Sequence, residues 1–319
     1  MTATSGTVLD LPAVGRLFGD AATARGWDFL GNVPVSLRHR VRDGVAELVA
    51  QHGETLKCCF PMGQGGDGPF ERLRRIRSFD DYPGMVVSSD HGNVFNRRFY
   101  DRHVATGGFV GCQPGGIAPV FSEAELVDPK GWIGTFAVAP FVLLIDHRKL
   151  NGLPVPRRWA DLLDPVYRGQ VVFSGWRRDG EQHYRQYNKF FLLSIAKEFG
   201  LEGVARLIRN VPALIHSAQM PRLAGGNASP GGIYVVPWSL ADICPRRDRT
   251  EVVWPTDGAL AYPLWLTVKA ARRNRLGALI DYFYGEKLAR YLDQNRYPAL
   301  LPGREHGLPR AAQLKWLGW

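Results

Sequence analysis

The sequence predicts an α/β fold of two lobes joined by hinge strands. Three observations carry this. The 319-residue length is enough for two domains of ordinary size. The first 90 residues alternate short apolar runs with helical patterns, which argues for a mostly parallel sheet with helices on its faces. Two long apolar runs, at 136–146 and 260–268, are spaced as an outward and a return crossing between lobes.

The expected boundaries are an N-terminal lead over 1–25, a discontinuous first lobe over 26–140 plus 260–300, a second lobe over 141–259, and a tail over 301–319 that wraps the surface. From Ser36, read as an N-cap after Pro34, the residues Leu37, Val41, Val45, Leu48 and Val49 fall on one helical face that closes at Ala50 and Gln51. The apolar run 56–60 is followed by the glycine loop Met62–Gly68, then by a short helix from Pro69 with Phe70, Leu73 and Ile76 inward. MVVSS at 85–89 reads as a buried strand, as does FAVAPFVLLID at 136–146 despite Pro140. In the second lobe the strands are at 171–173, 232–238 and 251–255. A helix from His183 to Phe199 stops at Gly200, and a further one carries Leu201, Val204, Leu207 and Ile208. After the return strand, helices at about 271–284 and 286–294 are expected to pack back on the first lobe.

Composition narrows the function classes. Hydrophobic residues make up 45% and charged residues 22%, as in an ordinary globular protein. No run approaches the roughly 18 apolar residues of a membrane-crossing helix, so direct membrane insertion is not expected. The net charge of +10 raises the odds of an anionic partner, but the clusters Arg72–Arg75, Arg246–Arg249 and Arg272–Arg275 lack interleaved aromatics. They read as a solvated basic surface, and no nucleic acid is expected. The start, MTATSGTVLDLPAVGRLF, has no basic segment followed by a long apolar one, so it does not read as a secretory leader. Cys58, Cys59, Cys112 and Cys244 show no disulfide framework. Both observations favour a cytoplasmic location, with a periplasmic one as the alternative if a leader is missed or removed; a monomer is expected.

The segment LPVPRRWADLLDPVYRGQVVF at 153–173 resembles the P-x-x-W-x-D-L-x-D-P-x-x-x-G stretch of substrate-binding proteins of ABC transporters, matched by Pro156, Trp159, Asp161, Leu162, Asp164, Pro165 and Gly169. FDDYPGMVVSSDHG, DGALAYPLWLTV and LIDYFYGEKLARYLDQNRYPALLP resemble further pieces in the family's order, so the likeness spans about 27–302. Gly84, Gly285 and Asn295 depart from it. The resemblance implies a type II periplasmic-binding-protein-like fold, closing on a solute as in the receptors for iron(III), polyamines, thiamine and phosphorylated solutes, with an ABC permease as the partner if it serves transport. Iron(III) receptors carry adjacent tyrosines near the strand that here reads IYVVPWSLAD; this chain has Tyr234 alone, then Pro237 and Trp238, which argues against iron(III) held that way. The resemblance also admits a cytoplasmic enzyme or an intracellular carrier on the same fold.

Ligands in open α/β sheets bind beyond the carboxyl ends of strands. That rule selects Ser88, Ser89, Asp90 and His91 in the first lobe, and Ser174, Trp176, Arg177 and Arg178 in the second. An arginine there could clamp a carboxylate or phosphate, and Trp238 and Tyr262 could supply an aromatic wall. Gly63-Gln64-Gly65-Gly66-Asp67-Gly68 matches G-x-G-x-x-G, which reads as a dinucleotide fingerprint with Asp90, as an anion-holding turn, or as a structural turn. Cys58 and Cys59 read as small core residues rather than a soft-metal or nucleophilic pair. His183 and His216 have no metal spacing. No cofactor, metal site or catalytic set is expected. The expected ligand is small, and anionic or a metal chelate.

Overall fold

The computed structural model describes residues 26–51, 56–61, 69–89, 94–175, 186–304 and 306–319. Its strands are β1 (Phe29–Gly31), β2 (Cys58–Cys59), β3 (Met85–Ser88), β4 (Phe109–Val110), β5 (Gly134–Asp146), β6 (Val171–Ser174), β7 (Ala213–Ile215), β8 (Ile233–Pro237), β9 (Thr250–Val253), β10 (Ala259–Lys269) and β11 (Leu314–Lys315). The helices used below are α1 (Arg38–Gln51), α2 (Pro69–Leu73), α3 (Gln186–Arg209), α4 (Gly277–Phe283) and α5 (Glu286–Gln294). The chain divides into two compact units. The first holds the chain to Gln113, then Asp128–Phe136 and Leu264–Leu288; the second holds Pro114–Val127, Ala137–Pro263 and Ala289–Trp319. β5 and β10 each run through both. This is the mixed α/β architecture of periplasmic-binding-protein-like folds. No helix among the described residues is long and apolar enough to cross a membrane.

In the first unit β1 lies between β2 and β3, parallel to both, with Phe29 opposite Cys58 and Met85. β10 then runs antiparallel to β3, and β4 antiparallel to β10. β1, β2 and β3 form the parallel part that the strand–helix alternation predicts, while β10 and β4 add antiparallel pairings. One face carries an aromatic cluster in which Tyr82 stacks on Phe95 and Phe99 at 5.1 and 4.9 Å, with Trp265 buried in the same cluster. On another side Phe29 stacks on Phe283 of α4 at 6.0 Å. α1 packs on α4 where Gly44 faces Tyr282; a Cβ at Gly44 would sit 2.1 Å from the tyrosine hydroxyl, so a larger residue would have to displace the Tyr282 ring. α1 starts differently from the expectation. A 3-10 turn, Val35–Leu37, precedes it, and Pro34 rather than Ser36 holds the cap position. The fixed φ of proline sets that entry, while Arg38 donates back to the Val33 carbonyl and the Asn32 side chain.

In the second unit the sheet order is β9-β5-β8-β6-β7. β5 is antiparallel to β9 and β8, and β8, β6 and β7 are mutually parallel. The tryptophan motif explains itself here as structure. Trp159 is fully buried and its indole N–H donates to the Gly258 carbonyl at 2.7 Å. The Asp161 carboxylate accepts the backbone N–H groups of Arg157 and Arg158, and Asp164 accepts that of Val166 after Pro165. Asn210, at the end of α3, donates to the carbonyls of Leu162 and Asp164 and so ties the motif to the helix. The segment is therefore a folding element, and it contributes no candidate contact to a ligand. α3 breaks at Gly200, which has φ 69° and extended ψ, as its sequence suggests. The expected start at His183 lies outside the described residues, and Leu201 and Ile208 are exposed rather than inward.

The tail does more than wrap the surface. β11 adds in parallel to the start of β10, pairing Leu314 with Ala259, and Trp316 is buried against Phe190. Its Gly and Pro content hides a two-residue strand because a strand that short has no readable period.

Lys269 ends β10 as a buried lysine. Its ammonium lies 4.8 Å above the Phe79 ring and donates to the Asp80 carbonyl. Burial lowers its pKa from 10.5 to about 8, with Arg272 pushing the same way and Asp80, Asp81 and Asp28 opposing. The unfolded chain then keeps this proton at pH values where the folded chain has released it, so the wild-type protein gains stability as pH rises from about 8 towards 10.5. Lys269→Met removes that gain. In urea titrations across this window, the stability of wild type relative to Lys269→Met is expected to increase with pH; a pH-independent difference contradicts the assignment.

Candidate functional site

Each unit has an edge formed by the carboxyl ends of parallel strands. In the first, β1, β2 and β3 end at Gly31, Cys59 and Ser88, and the Asn32 N–H donates to the Val87 carbonyl, holding Asn32 at the same edge. Ser88 and Ser89 are both buried, Ser88 opposite Trp265. The chain leaves this edge into 62–68 after β2 and into 90–93 after β3. Gly63, Gly65, the rest of the glycine loop, Asp90 and His91 therefore lie outside the described residues. Asn32 is a polar residue at this edge that the sequence reading missed; the same strand-to-helix logic applied to FLGN would have found it.

Burial pushes the Cys58 thiol up to about 12, with Asp28 and Cys59 adding to it, and burial alone pushes Cys59 up to about 11. Both thiols stay protonated at neutral pH, so neither presents the thiolate that a nucleophile or soft-metal ligand needs. All four cysteines are unpaired.

In the second unit β7, β6 and β8 end side by side at Ile215, Ser174 and Pro237. The Gly175 N–H donates to the Ile215 carbonyl, which sets Ser174 and Gly175 beside His216. His216 caps the following 3-10 turn, its Nδ1 accepting the Ala218 N–H at 3.1 Å. Trp176, Arg177 and Arg178 lie outside the described residues. Trp238 starts the short helix after β8, 8% exposed, and meets Trp254 edge-on at 5.4 Å. Tyr262 does not share this edge: it is 1% exposed and packs edge-on against Phe190 as part of the core.

Arg296, which the sequence reading did not select, joins Trp238. Its guanidinium lies 4.9 Å above the indole and bonds the Asp242 carboxylate, with Nε to Oδ2 at 3.1 Å. Beside it the Ser239 hydroxyl bonds the Tyr297 hydroxyl at 3.0 Å. Arg296 has φ 64°, the left-handed position just past α5 where glycine is usual. A non-glycine residue there costs about 1–3 kcal/mol, and Cys112, Glu125, Asn151 and Ala311 share that conformation elsewhere in the chain. The sequence signal was the word NRYP after a helix, which marks a turn but not the guanidinium's destination.

Tyr234 is fully buried in β8. The Ser229 hydroxyl donates to the Gly231 carbonyl, so the Tyr234 hydroxyl is the donor in their 2.7 Å bond. Burial pushes its pKa up to about 12. A phenol held this way is a core group. Ser229→Ala leaves that hydroxyl without an acceptor and is expected to cost about 1–3 kcal/mol, whereas Tyr234→Phe leaves Ser229 bonded and costs about 0.5–1.5 kcal/mol. Chemical denaturation of the two variants checks the order; the reverse order contradicts the donor assignment.

Among the described residues no cluster of three His, Cys, Asp or Glu side chains could hold a metal ion. Comparison with known proteins adds the following. Solved structures of similar fold include a Bordetella ferric binding protein (17% identity, 91% of each chain, TM-score 0.58). They also include the Pasteurella haemolytica apo ferric ion-binding protein A (12% identity, 88% of this chain and 86% of that one, TM-score 0.60). A third is a Trichodesmium protein in complex with iron and citrate (14% identity, 87% of each chain, TM-score 0.57). No curated protein matches the chain by sequence. The family model for bacterial extracellular solute-binding proteins matches residues 80–319, three quarters of the chain, and the protein belongs to that family.

Proposed function

We propose that this protein is the receptor of an ABC transporter for a small anionic solute or metal chelate, which it delivers to a membrane permease. The observation that carries the anionic preference is Arg296. Backbone strain, the Trp238 ring and Asp242 together place a guanidinium next to the carboxyl end of β8, where such sheets bind ligands. A guanidinium has five donors, and Asp242 bonds only its Nε and one terminal nitrogen, so capacity remains for an anion. In this reading Ser88, Ser89 and Ser174, buried at the strand ends, are candidate hydroxyl contacts. The buried hydroxyl of Tyr234 argues for an anion or chelate over a bare iron(III) ion bound by phenolate. Closure of the two units on the solute is part of this reading, as is a periplasmic or extracellular location, which the family's description favours over the cytoplasmic expectation. An enzyme on the same fold is the second possibility; the un-ionised Cys58 and Cys59 do not favour it.

Native mass spectrometry of the purified protein, against a denatured control, is expected to show a discrete small mass that denaturation removes. Absence of such a mass, with no thermal shift across carboxylates, phosphates and ferric citrate, contradicts the receptor assignment. With any solute so found, Arg296→Gly is expected to keep the fold, since glycine suits the left-handed position. It should weaken binding by roughly ten- to a hundredfold, as loss of a charged hydrogen bond does. Unchanged affinity removes Arg296 from the site.

A further inference from the structure

A second basic feature lies on the first unit, away from the strand edge described above. The chain between α2 and β3 carries Arg74, Arg75 and Arg77, all exposed. After Asn96 the chain forms a helix, Arg97–Phe99, that continues as a π-helical segment, Tyr100–Gly108, and this carries Arg97, Arg98, Arg102 and His103. Asn96 clamps the two segments together. Its side-chain amide donates to the carbonyls of Arg74 and Ile76, and its oxygen accepts the Phe99 N–H. The imidazole of His103 is fixed between Phe79 and Phe99, at 5.2 and 4.8 Å. π-Helical geometry is rare and recurs at functional sites. Here it ends at Gly107, with φ 86°, and at Gly108, where a Cβ would lie 2.2 Å from the His103 carbonyl.

The result is a recess of about 390 Å3 lined by Arg77, Asn96, Arg98, Phe99, Arg102 and His103. Arg74, Arg75 and Arg97 line a second recess beside it, which shares Arg77 and Asn96. The only described carboxylate paired within this surface is Asp101, 3.9 Å from Arg97 with both side chains largely exposed, which is a weak pair. Asp80 and Asp81 raise the pKa of Lys269 against the effect of burial. Like charges held close repel, and the clamp by Asn96 keeps these segments together. The feature is tied to the amino end of β3: Tyr82, which enters that strand, bonds the Val94 carbonyl and stacks on Phe95 and Phe99. Ser88 and Ser89 stand at the strand's other end. The recess is therefore not part of the proposed solute site.

We propose that this recess is a separate anion site that binds a phosphate group, either a free phosphate or the headgroup of an anionic lipid. Arginine forks match phosphate oxygens in pairs, and an exposed group of them on two clamped segments suits a phosphate ligand. The proposal does not depend on the solute reading.

The test uses the full chain and two probes: inorganic pyrophosphate in solution, and phosphatidylcholine vesicles with or without an equimolar share of phosphatidylglycerol. Arg77→Gln/Arg98→Gln/Arg102→Gln is compared with Arg168→Gln/Arg206→Gln/Arg209→Gln, which removes the same charge from exposed positions of the second unit, both checked for fold by circular dichroism. The recess variant is expected to lose about tenfold or more in binding while the control keeps most of it, given the contribution of each arginine at an anionic surface. Loss on vesicles alone assigns a lipid headgroup, and loss on pyrophosphate alone assigns a soluble phosphate. Arg77→Lys/Arg98→Lys/Arg102→Lys is expected to keep vesicle binding, which needs only charge, and to weaken pyrophosphate binding, which needs the fork. Equal losses in the recess and control variants, or no binding of either probe by the wild type, overturn the proposal.

Discussion

Burial of β5 and β10 at every position is the constraint on which the rest depends. All thirteen residues of β5 and all eleven of β10 are buried. A strand covered on both faces cannot alternate apolar with polar, so both must read as continuous apolar runs. Each unit builds its sheet on them: β3 and β4 pair the end of β10 in the first, and β8 and β9 pair the end of β5 in the second. Pro140 and Pro263 lie inside these strands and bring no N–H to the ladder. Pro263 is the last residue of its stretch in the second unit, so the donor is missing where the strand changes unit.

Carboxylates fix the connections between these strands. Asp128 accepts three backbone N–H groups, those of Lys130, Trp132 and Ile133, and Asp146 accepts those of Lys149 and Gly225. Both are buried. These two aspartates bond backbone donors inside the units, while many of the arginines lie on the surface. That division leaves the excess of positive charge outside, where it gathers at the arginine recess of the first unit and beside Trp238 in the second.

The sequence by itself determined the fold class, the strands with long apolar runs and the family, because double-sided burial and the tryptophan motif are written in consecutive residues. It also placed Ser88, Ser89, Ser174 and Trp238 at strand ends, since strand ends are marked by the switch from apolar to polar residues. It did not determine which aromatic is core. Tyr262 lies inside an apolar run and Trp238 ends one, and the packing of Phe190 against the first and of Arg296 against the second separates them. The tertiary structure alone decided the role of Arg296, which lies 58 residues from Trp238 in the chain and reaches it through a left-handed turn. It also decided that Arg77 and Arg98 share one recess, because the Asn96 clamp that joins them is a contact between segments and has no period in the sequence.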